Sequence, residues 1–463
     1  MPDCRELPFP RGIVHYADGH RIVHGPEELA GLKDAISGLL SIVDGADLVL
    51  AILPNCPSFV AFAMAAFSRD GDFAIGDTKW PKSVAEQMIA DLRPAYLLTM
   101  KDQARHYAND MHDIVGEAAD LILIQRRAGE RQGRPLSADD AVIILFSSGS
   151  TGVPKAIAHT RSSLILNAAM HCNSLELTVD HRILVTVSMA YSYGFVAVLL
   201  ASILTESQLI LCENIVFGAN VGAISADNRV DVLPCTPFYI KQQLRQEGWR
   251  PPDHIQKLMV GGDFLAHPLL EALRKRTAGN LYLTYGLAEA GPRVLTGKVL
   301  DDGDYSLSPV DQAVEIITKD TILHVKSPTL MKGYVEFGQL VPIELDSAGF
   351  YHTGDIFLPH ASGHRFEGRQ KNVLSHKGEK INPKHVADIL TAHWAVEDAR
   401  LTWAGLDRKE SRLSADIKID PRAISESGDS KALIQDIRRF CRLQLRAAEF
   451  PDSFHIVDSI VSK

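Results

Sequence analysis

The sequence has no C-x-x-C pair, no histidine set beside its cysteines at metal-ligand spacing, and no apolar run long enough to cross a bilayer. Its six cysteines, Cys4, Cys56, Cys172, Cys212, Cys235 and Cys441, are scattered, which excludes a zinc module or disulfide scaffold and reads as reduced thiols. The longest apolar stretch is residues 194–204, and the N-terminus, Met1-Pro-Asp-Cys-Arg-Glu, lacks the apolar core of a secretory signal. No membrane span is therefore expected, and the location read from these features is cytoplasmic. Positive charge is not in excess either: 48 Lys and Arg face 57 Asp and Glu, for a net charge of −9. A nucleic-acid binder needs a dense basic face to neutralise phosphates, so no nucleic-acid partner is expected. Short-period repeats and low-complexity tracts are missing as well.

What is present is a chain of 463 residues, 46% hydrophobic and 23% charged, too long for a single hydrophobic core. Apolar positions Leu29, Leu32, Ile36 and Leu39 recur at helical spacing and predict a helix over 27–40, followed by a buried strand over 47–53. Helices over 57–67 and 83–92 alternate with short strands at 74–75 and 96–98. The rhythm resumes with a helix over 161–175 and strands at 183–187, 209–212, 230–233 and 257–260. This alternation predicts an α/β architecture with largely parallel sheet. From residue 299 short strands and Gly/Asp/Pro turns suggest a β-rich subdomain over about 299–367. Beyond residue 368 a basic segment leads into helices over 385–393 and 431–445 with a strand at 400–403. The expected organisation is a large N-terminal domain, 1–367, and a small α+β C-terminal domain, 368–463.

The segment Leu145-Phe-Ser-Ser-Gly-Ser-Thr-Gly-Val-Pro-Lys155 follows a short apolar strand and can hold phosphate. Gly149 and Gly152 let backbone N–H groups approach an anion, Ser147, Ser148, Ser150 and Thr151 offer hydroxyls, and Lys155 brings a compact charge. Val153 and Pro154 separate Gly152 from Lys155, so this is not a Walker A loop. Further along come an aromatic segment, Ser188-Met-Ala-Tyr-Ser-Tyr-Gly-Phe195, and a glycine pair after a strand, Leu258-Met-Val-Gly-Gly-Asp-Phe-Leu265. They are followed by Leu283-Thr-Tyr-Gly-Leu-Ala-Glu289, Phe350-Tyr-His-Thr-Gly-Asp355 and Phe366-Glu-Gly-Arg-Gln-Lys371. A hard divalent cation prefers oxygen ligands such as the Glu289 carboxylate, and the paired acceptors of Asp355 suit a vicinal diol.

In this order the motifs resemble those of the acyl-adenylate-forming superfamily, which includes acyl-CoA synthetases, peptide-synthetase adenylation domains and firefly-type luciferases. The first segment is similar to that family's Ser-Gly-Ser/Thr-Thr-Gly-x-Pro-Lys-Gly loop, with Ala156 in place of the last glycine. The resemblance implies that ATP is held by Ser147, Ser148, Gly149, Ser150, Thr151, Gly152, Lys155, Tyr285, Gly286, Asp355 and Arg369, with Tyr285 on adenine and Asp355 on ribose. It implies a substrate pocket formed by Tyr191, Tyr193, Gly194, Gly261, Gly262, Asp263 and Tyr285, Mg²⁺ on Glu289, and catalytic work by Lys155, Glu289 and Arg369. Lys371 is the implied hinge of a mobile small domain, which carries residues 377–381 into the site. Ala288 stands where the family has threonine, and Tyr191 where histidine is common. The family's closing Pro-x-x-x-x-Gly-Lys loop is not matched: either Lys463 stands in for its lysine through a shortened loop or that lysine is missing, and the second is the expectation.

The activity so implied is activation of an aryl or acyl carboxylic acid to acyl-AMP with release of pyrophosphate. Transfer to a thiol would follow, either of CoA or of the phosphopantetheine arm of an acyl or peptidyl carrier protein. The absence of a Phe-Asp pair in the 188–195 segment speaks against an amino-acid-activating enzyme, and Ala288 with the unmatched end leaves a non-catalytic nucleotide-binding member as a further alternative. The particular acid and the oligomeric state are not legible.

Overall fold

The structure is a computed structural model that describes residues 6–17, 20–107, 112–126, 136, 140–147, 154–212, 219–246, 248–360, 363–370, 374–376, 379–404, 412–423 and 430–460. Two nine-stranded sheets dominate the larger N-terminal part. One runs Ser308–Pro309, Leu295–Lys298, Asn280–Tyr285, Lys257–Gly261, Val232–Cys235, Arg182–Leu184, Gln208–Cys212, Gly12–Ala17, His20–His24. The other runs Gln339–Pro342, Gly333–Glu336, Ala156–Thr160, Val142–Phe146, Phe73–Gly76, Val49–Ile52, Tyr96–Met100, Leu121–Arg126, His112–Ala118. The interior pairs are parallel and the edges antiparallel, as the β-α alternation predicts.

The strands Val49–Ile52, Phe73–Gly76 and Val142–Phe146 carry no polar side chain because both their faces are covered. Val49 and Ala51 point into one core with Ile143 and Leu145, while Leu50 and Ile52 point into another with Ile144 and Phe146. Leu209 and Leu211 of the first sheet join the same core as Val49. That shared core therefore lies between the sheets, filled by Pro57–Phe67, Arg161–Ser174 and the apolar run around 194–204. All eleven residues of Pro57–Phe67 are buried, so this helix is apolar all round rather than striped. The long apolar run is an internal helical segment, Ser192–Thr205 overall, wound as a π-helix over Phe195–Leu200. No described helix is long and apolar enough to cross a membrane. Cys56, Cys172, Cys212, Cys235 and Cys441 are buried free thiols.

The expected β-rich region divides. Glu315–Lys319, Ile322–Lys326, Tyr351–His360 and Gly363–Arg369 form a separate four-stranded antiparallel sheet. Residues 333–342 instead form a hairpin on the second large sheet, with Gly333 opposite Ala158 and Tyr334 opposite Ile157. The strand that receives them, Ala156–Thr160, is absent from the sequence reading, as are the edge strands His112–Ala118 and Leu121–Arg126.

The smaller C-terminal domain has its own core. Strands Val396–Ala404, Arg412–Ile419 and Ser453–Ile456 carry Pro383–Ala392 and Ser430–Gln444, whose Val386, Leu390, Leu433 and Ile437 pack on Ala415 and Ile417.

Candidate active site

Open α/β sheets bind ligands beyond the carboxyl ends of their strands. Here a cleft of about 1120 Å³ opens where Val142–Phe146 of one sheet and Lys257–Gly261 and Asn280–Tyr285 of the other come to their ends. Ser147, Lys155, Tyr191, Tyr193, Gly194, Gly262, Asp263, Tyr285, Gly286, Glu289, Asp355 and Arg369 all line it. Residues distributed over 223 positions of sequence are thus gathered into one place, the span from Ser147 to Arg369.

At one end the phosphate-type loop leaves and returns to an antiparallel ladder that pairs Phe146 with Ala156. Its stems are tied twice: the Ser147 N–H donates to the Lys155 carbonyl at 3.1 Å, and the Lys155 N–H donates to Ser147 Oγ at 3.3 Å. Ser148, Gly149, Ser150, Thr151 and Gly152 lie outside the described residues. The Lys155 ammonium stands 4.9 Å from the ring centre of Tyr334, and the Tyr334 hydroxyl donates to Glu289 Oε1 at 3.0 Å. A lysine, an aromatic ring and a carboxylate are linked in sequence. Burial and the neighbouring Glu289 carboxylate push the Tyr334 hydroxyl far up, so it stays a donor. The turn that carries Glu289 is pinned by buried His159, whose Nε2–H donates to the Ala288 carbonyl at 2.7 Å. Burial lowers His159 to about 4, which keeps the imidazole neutral.

At the other end Asp355, 1% exposed, accepts from the Tyr285 hydroxyl at 2.7 Å and pairs with Arg369 Nε at 3.1 Å. The ladder sets this pair directly, since Asp355 is opposite Arg369 on adjacent antiparallel strands. The Tyr285 ring packs edge-on to Phe357 at 4.7 Å and against Phe366 at 5.5 Å. Burial, then the Asp355 charge, raise its hydroxyl well above the ordinary tyrosine value.

Between the ends lies the aromatic wall. Tyr191 is raised to about 12 by burial and by nearby Asp77, and Tyr193 lies under the Arg293 guanidinium at 5.3 Å. Gly194 and Gly286 are required by close approach: a Cβ would stand 2.1 Å from the Ser188 carbonyl oxygen at the first and 1.6 Å from that of Pro292 at the second. Gly261 is not among the residues that line the cleft. It closes the strand Lys257–Gly261, and a Cβ there would meet Thr284 Oγ1 at 2.2 Å, so its small size serves strand packing. Asp263 is ion-paired at 2.5 Å with Lys384 of the small domain, which also lines the cleft. Lys371 and Lys463 lie outside the described residues, as do Lys377 and Gly378.

Sequence reasoning missed Tyr334, Asp77, Lys384 and Arg293. Tyr334 sits outside every motif and reaches the site through strand pairing alone. Arg293 did carry a signal: one cation inside the apolar run Ala290-Gly-Pro-Arg-Val-Leu295, directly after a glycine-proline pair.

Among the described residues no three Asp, Glu, His or Cys side chains gather as a metal cluster. A magnesium ion fits this arrangement nonetheless, because that ion commonly takes one or two carboxylates and completes its shell with water and nucleotide phosphates. Glu289, in the cleft and facing the loop stems through Tyr334, is a carboxylate of that kind.

The two-sheet α/β body thus gathers Lys155, Glu289 and the pair of buried Asp355 with half-exposed Arg369 into one cleft. A sequence model of AMP-binding enzymes matches residues 31–335, and the chain belongs to that family. Its similarity to curated relatives includes a 4-coumarate–CoA ligase of Pinus taeda, 24% identical over 400 residues that cover 76% of this chain and 72% of that protein. A 2-succinylbenzoate–CoA ligase of Bacillus velezensis is 23% identical over 454 residues, covering 95% and 89%. Among solved structures the fold is similar to an anthranilate CoA ligase in complex with anthranoyl-AMP, with TM-score 0.76, 16% identity and coverage of 99% of this chain and 92% of that one. It is also similar to an o-succinylbenzoate CoA synthetase from Bacillus subtilis in complex with AMP, with TM-score 0.77, 19% identity and coverage of 99% and 94%.

Proposed function

We propose that this protein activates a carboxylic acid with Mg·ATP to an acyl-AMP and then passes the acyl group to a thiol. The observation that carries the reading is that Lys155 and Glu289, bridged by Tyr334 behind them, line the same cleft as Tyr285, Asp355 and Arg369. The first suits the pyrophosphate end of a nucleotide, the second its ribose. In the first step a substrate carboxylate oxygen attacks the α-phosphorus, the bond to the bridging oxygen breaks, and pyrophosphate leaves with the electron pair. Such a displacement depends on alignment and charge stabilisation. Lys155 and the loop donors would neutralise the leaving group, and a magnesium ion, which Glu289 would hold, would supply further Lewis-acid stabilisation. Asp355 accepts from the ribose hydroxyls and Arg369 holds it in place. In the second step a thiolate attacks the acyl carbon and AMP departs. CoA as acceptor is supported by the names of the relatives; a carrier-protein phosphopantetheine is the finer alternative.

We assign residues 368–463 to the small domain, with Lys371 as its hinge. Pivoting there would exchange the face presented to the cleft between the two steps.

The direct test is carboxylate-dependent pyrophosphate release from Mg·ATP across aryl, short-chain, long-chain and amino acids, with and without CoA. Release of AMP and pyrophosphate with at least one acid, abolished by EDTA, is the expected result. Formation of ADP, or tight ATP binding with no turnover for any acid, would remove the reading. Within it, Tyr334→Phe keeps the ring beside Lys155 and deletes the hydrogen bond to Glu289. Turnover should fall about tenfold, in line with the loss of one hydrogen bond to a charged group, with a raised magnesium requirement. An unaltered magnesium titration would detach Tyr334 from the metal side of the site.

A further inference from the structure

Arg293 is 2% exposed, yet it lines the cleft. Its backbone is clamped: Asn167 Nδ2 donates to the Arg293 carbonyl and the Arg293 N–H donates to Asn167 Oδ1, both at 2.9 Å. Asn167 is itself held by Thr329 Oγ1 at 3.1 Å. The guanidinium is therefore delivered to one place, over the Tyr193 ring at 5.3 Å and beside the Gly261–Thr284 strand contact. Neither Nε nor Nη2 finds a hydrogen-bond partner. Burial brings the group down to about 10, which leaves it charged at neutral pH, and among the described residues no carboxylate offsets that charge. The neighbouring His171 is held neutral by its own burial and by Arg293.

A buried guanidinium without a counterion is costly, because its hydration is lost and nothing replaces it. The ring face of Tyr193 attracts the cation but cannot accept the in-plane hydrogen bonds of Nε and Nη2. These two nitrogens form the edge that a carboxylate fills bidentately, and because both are enclosed at the cleft wall a ligand carboxylate would meet them on a turn of the side chain toward the cleft. Every other charged side chain placed in the proposed chemistry is partnered: Lys155 by Tyr334, Asp355 by Arg369, Glu289 by Tyr334. Arg293 stands apart from them on the aromatic wall of the acyl side, next to Tyr193.

We infer that Arg293 is the counterion for a second anionic group on the acid being activated, so that the substrate class is a dicarboxylic acid. One carboxylate would meet the α-phosphorus while the other closes the unfilled edge of Arg293. The inference rests on the adenylation reading and narrows it. Chain and aryl spacers differ in length, so the cleft selects among diacids by the distance between their carboxylates.

The test compares kcat/KM for pyrophosphate release within pairs sharing a skeleton: butanoate and butanedioate, hexanoate and hexanedioate, benzoate and each benzenedicarboxylate. In at least one pair the diacid should exceed its monoacid by about tenfold or more, as expected for a charge-assisted hydrogen-bonded pair. In that pair Arg293→Met should lower the diacid-to-monoacid ratio by a similar factor with the KM for ATP unchanged, and Arg293→Lys should retain part of the preference. Faster release with the monoacid in every pair would overturn the inference while leaving adenylation standing, a result that needs no variant to fold. Absence of release with every acid, despite ATP binding, would overturn both.

Discussion

Glu289→Gln should reduce Mg·ATP-dependent pyrophosphate release by about a hundredfold or more, the usual scale for losing a charged group that stabilises a transition state. The substitution keeps size and keeps an oxygen able to accept from Tyr334, so the link at 3.0 Å can persist and only the negative charge is removed. The fold should not suffer: the turn at Ala288–Ala290 is held by backbone groups, with His159 on the Ala288 carbonyl and the Met331 N–H on the Glu289 carbonyl at 2.8 Å. The apparent affinity for magnesium, titrated at saturating nucleotide, should weaken in parallel with turnover. Equal rates and equal magnesium curves for both proteins, at matched thermal midpoints, would place the cation elsewhere.

Asp355→Ala should raise the KM for ATP by roughly tenfold to a hundredfold and also cost stability, about 1–3 kcal/mol, because it strands a buried donor. The donor is the Tyr285 hydroxyl, which has Asp355 Oδ2 as its partner in a site enclosed by Phe357 and Phe366. Arg369 is 48% exposed, so water can take the place of its lost partner and that half of the pair adds little. The two effects separate with 2′-deoxy-ATP. The wild type should discriminate against it, and Asp355→Ala should accept both nucleotides nearly alike. Discrimination that survives the substitution would mean that another group reads the ribose.

Much of the α/β frame can be read from the chain because its signals are local. Residues 57–67 form a helix with the expected bounds: Pro57 suits the first turn, and the alanine and phenylalanine side chains suit a site with no solvent face. The motif residues Lys155, Tyr285, Glu289, Asp355 and Arg369 converge as the resemblance implied. What escaped depends on pairing across distance. Ala156–Thr160 is five residues with a helix immediately after it, and it becomes a strand only because Val142–Phe146 and Gly333–Glu336 flank it. Tyr334 follows from that pairing, and no periodicity in its own neighbourhood points to a catalytic cleft. Of the glycine pair, Gly262 lines the cleft while Gly261 packs against Thr284, a difference that the pair alone does not reveal. Arg293 was visible as a lone charge in an apolar run, but its lack of a counterion appears only once the surrounding side chains are in place.

The seam between the large and small domains carries a consequence of its own. Among the described residues the polar ties across it include Asp355 to Arg369, Lys384 to Asp263, with side chains 45% and 52% exposed, and half-buried Arg245 to the carbonyls of Val396 and Glu397. An exposed pair such as Lys384–Asp263 contributes about 0–1 kcal/mol, and 1 M salt shortens the reach of its attraction to about 3 Å. On the proposed two-step reading, a seam held in part by so shallow a tie would leave the posture of the small domain responsive to whatever occupies the cleft, and interdomain distance would then gauge how far along its cycle each molecule stands.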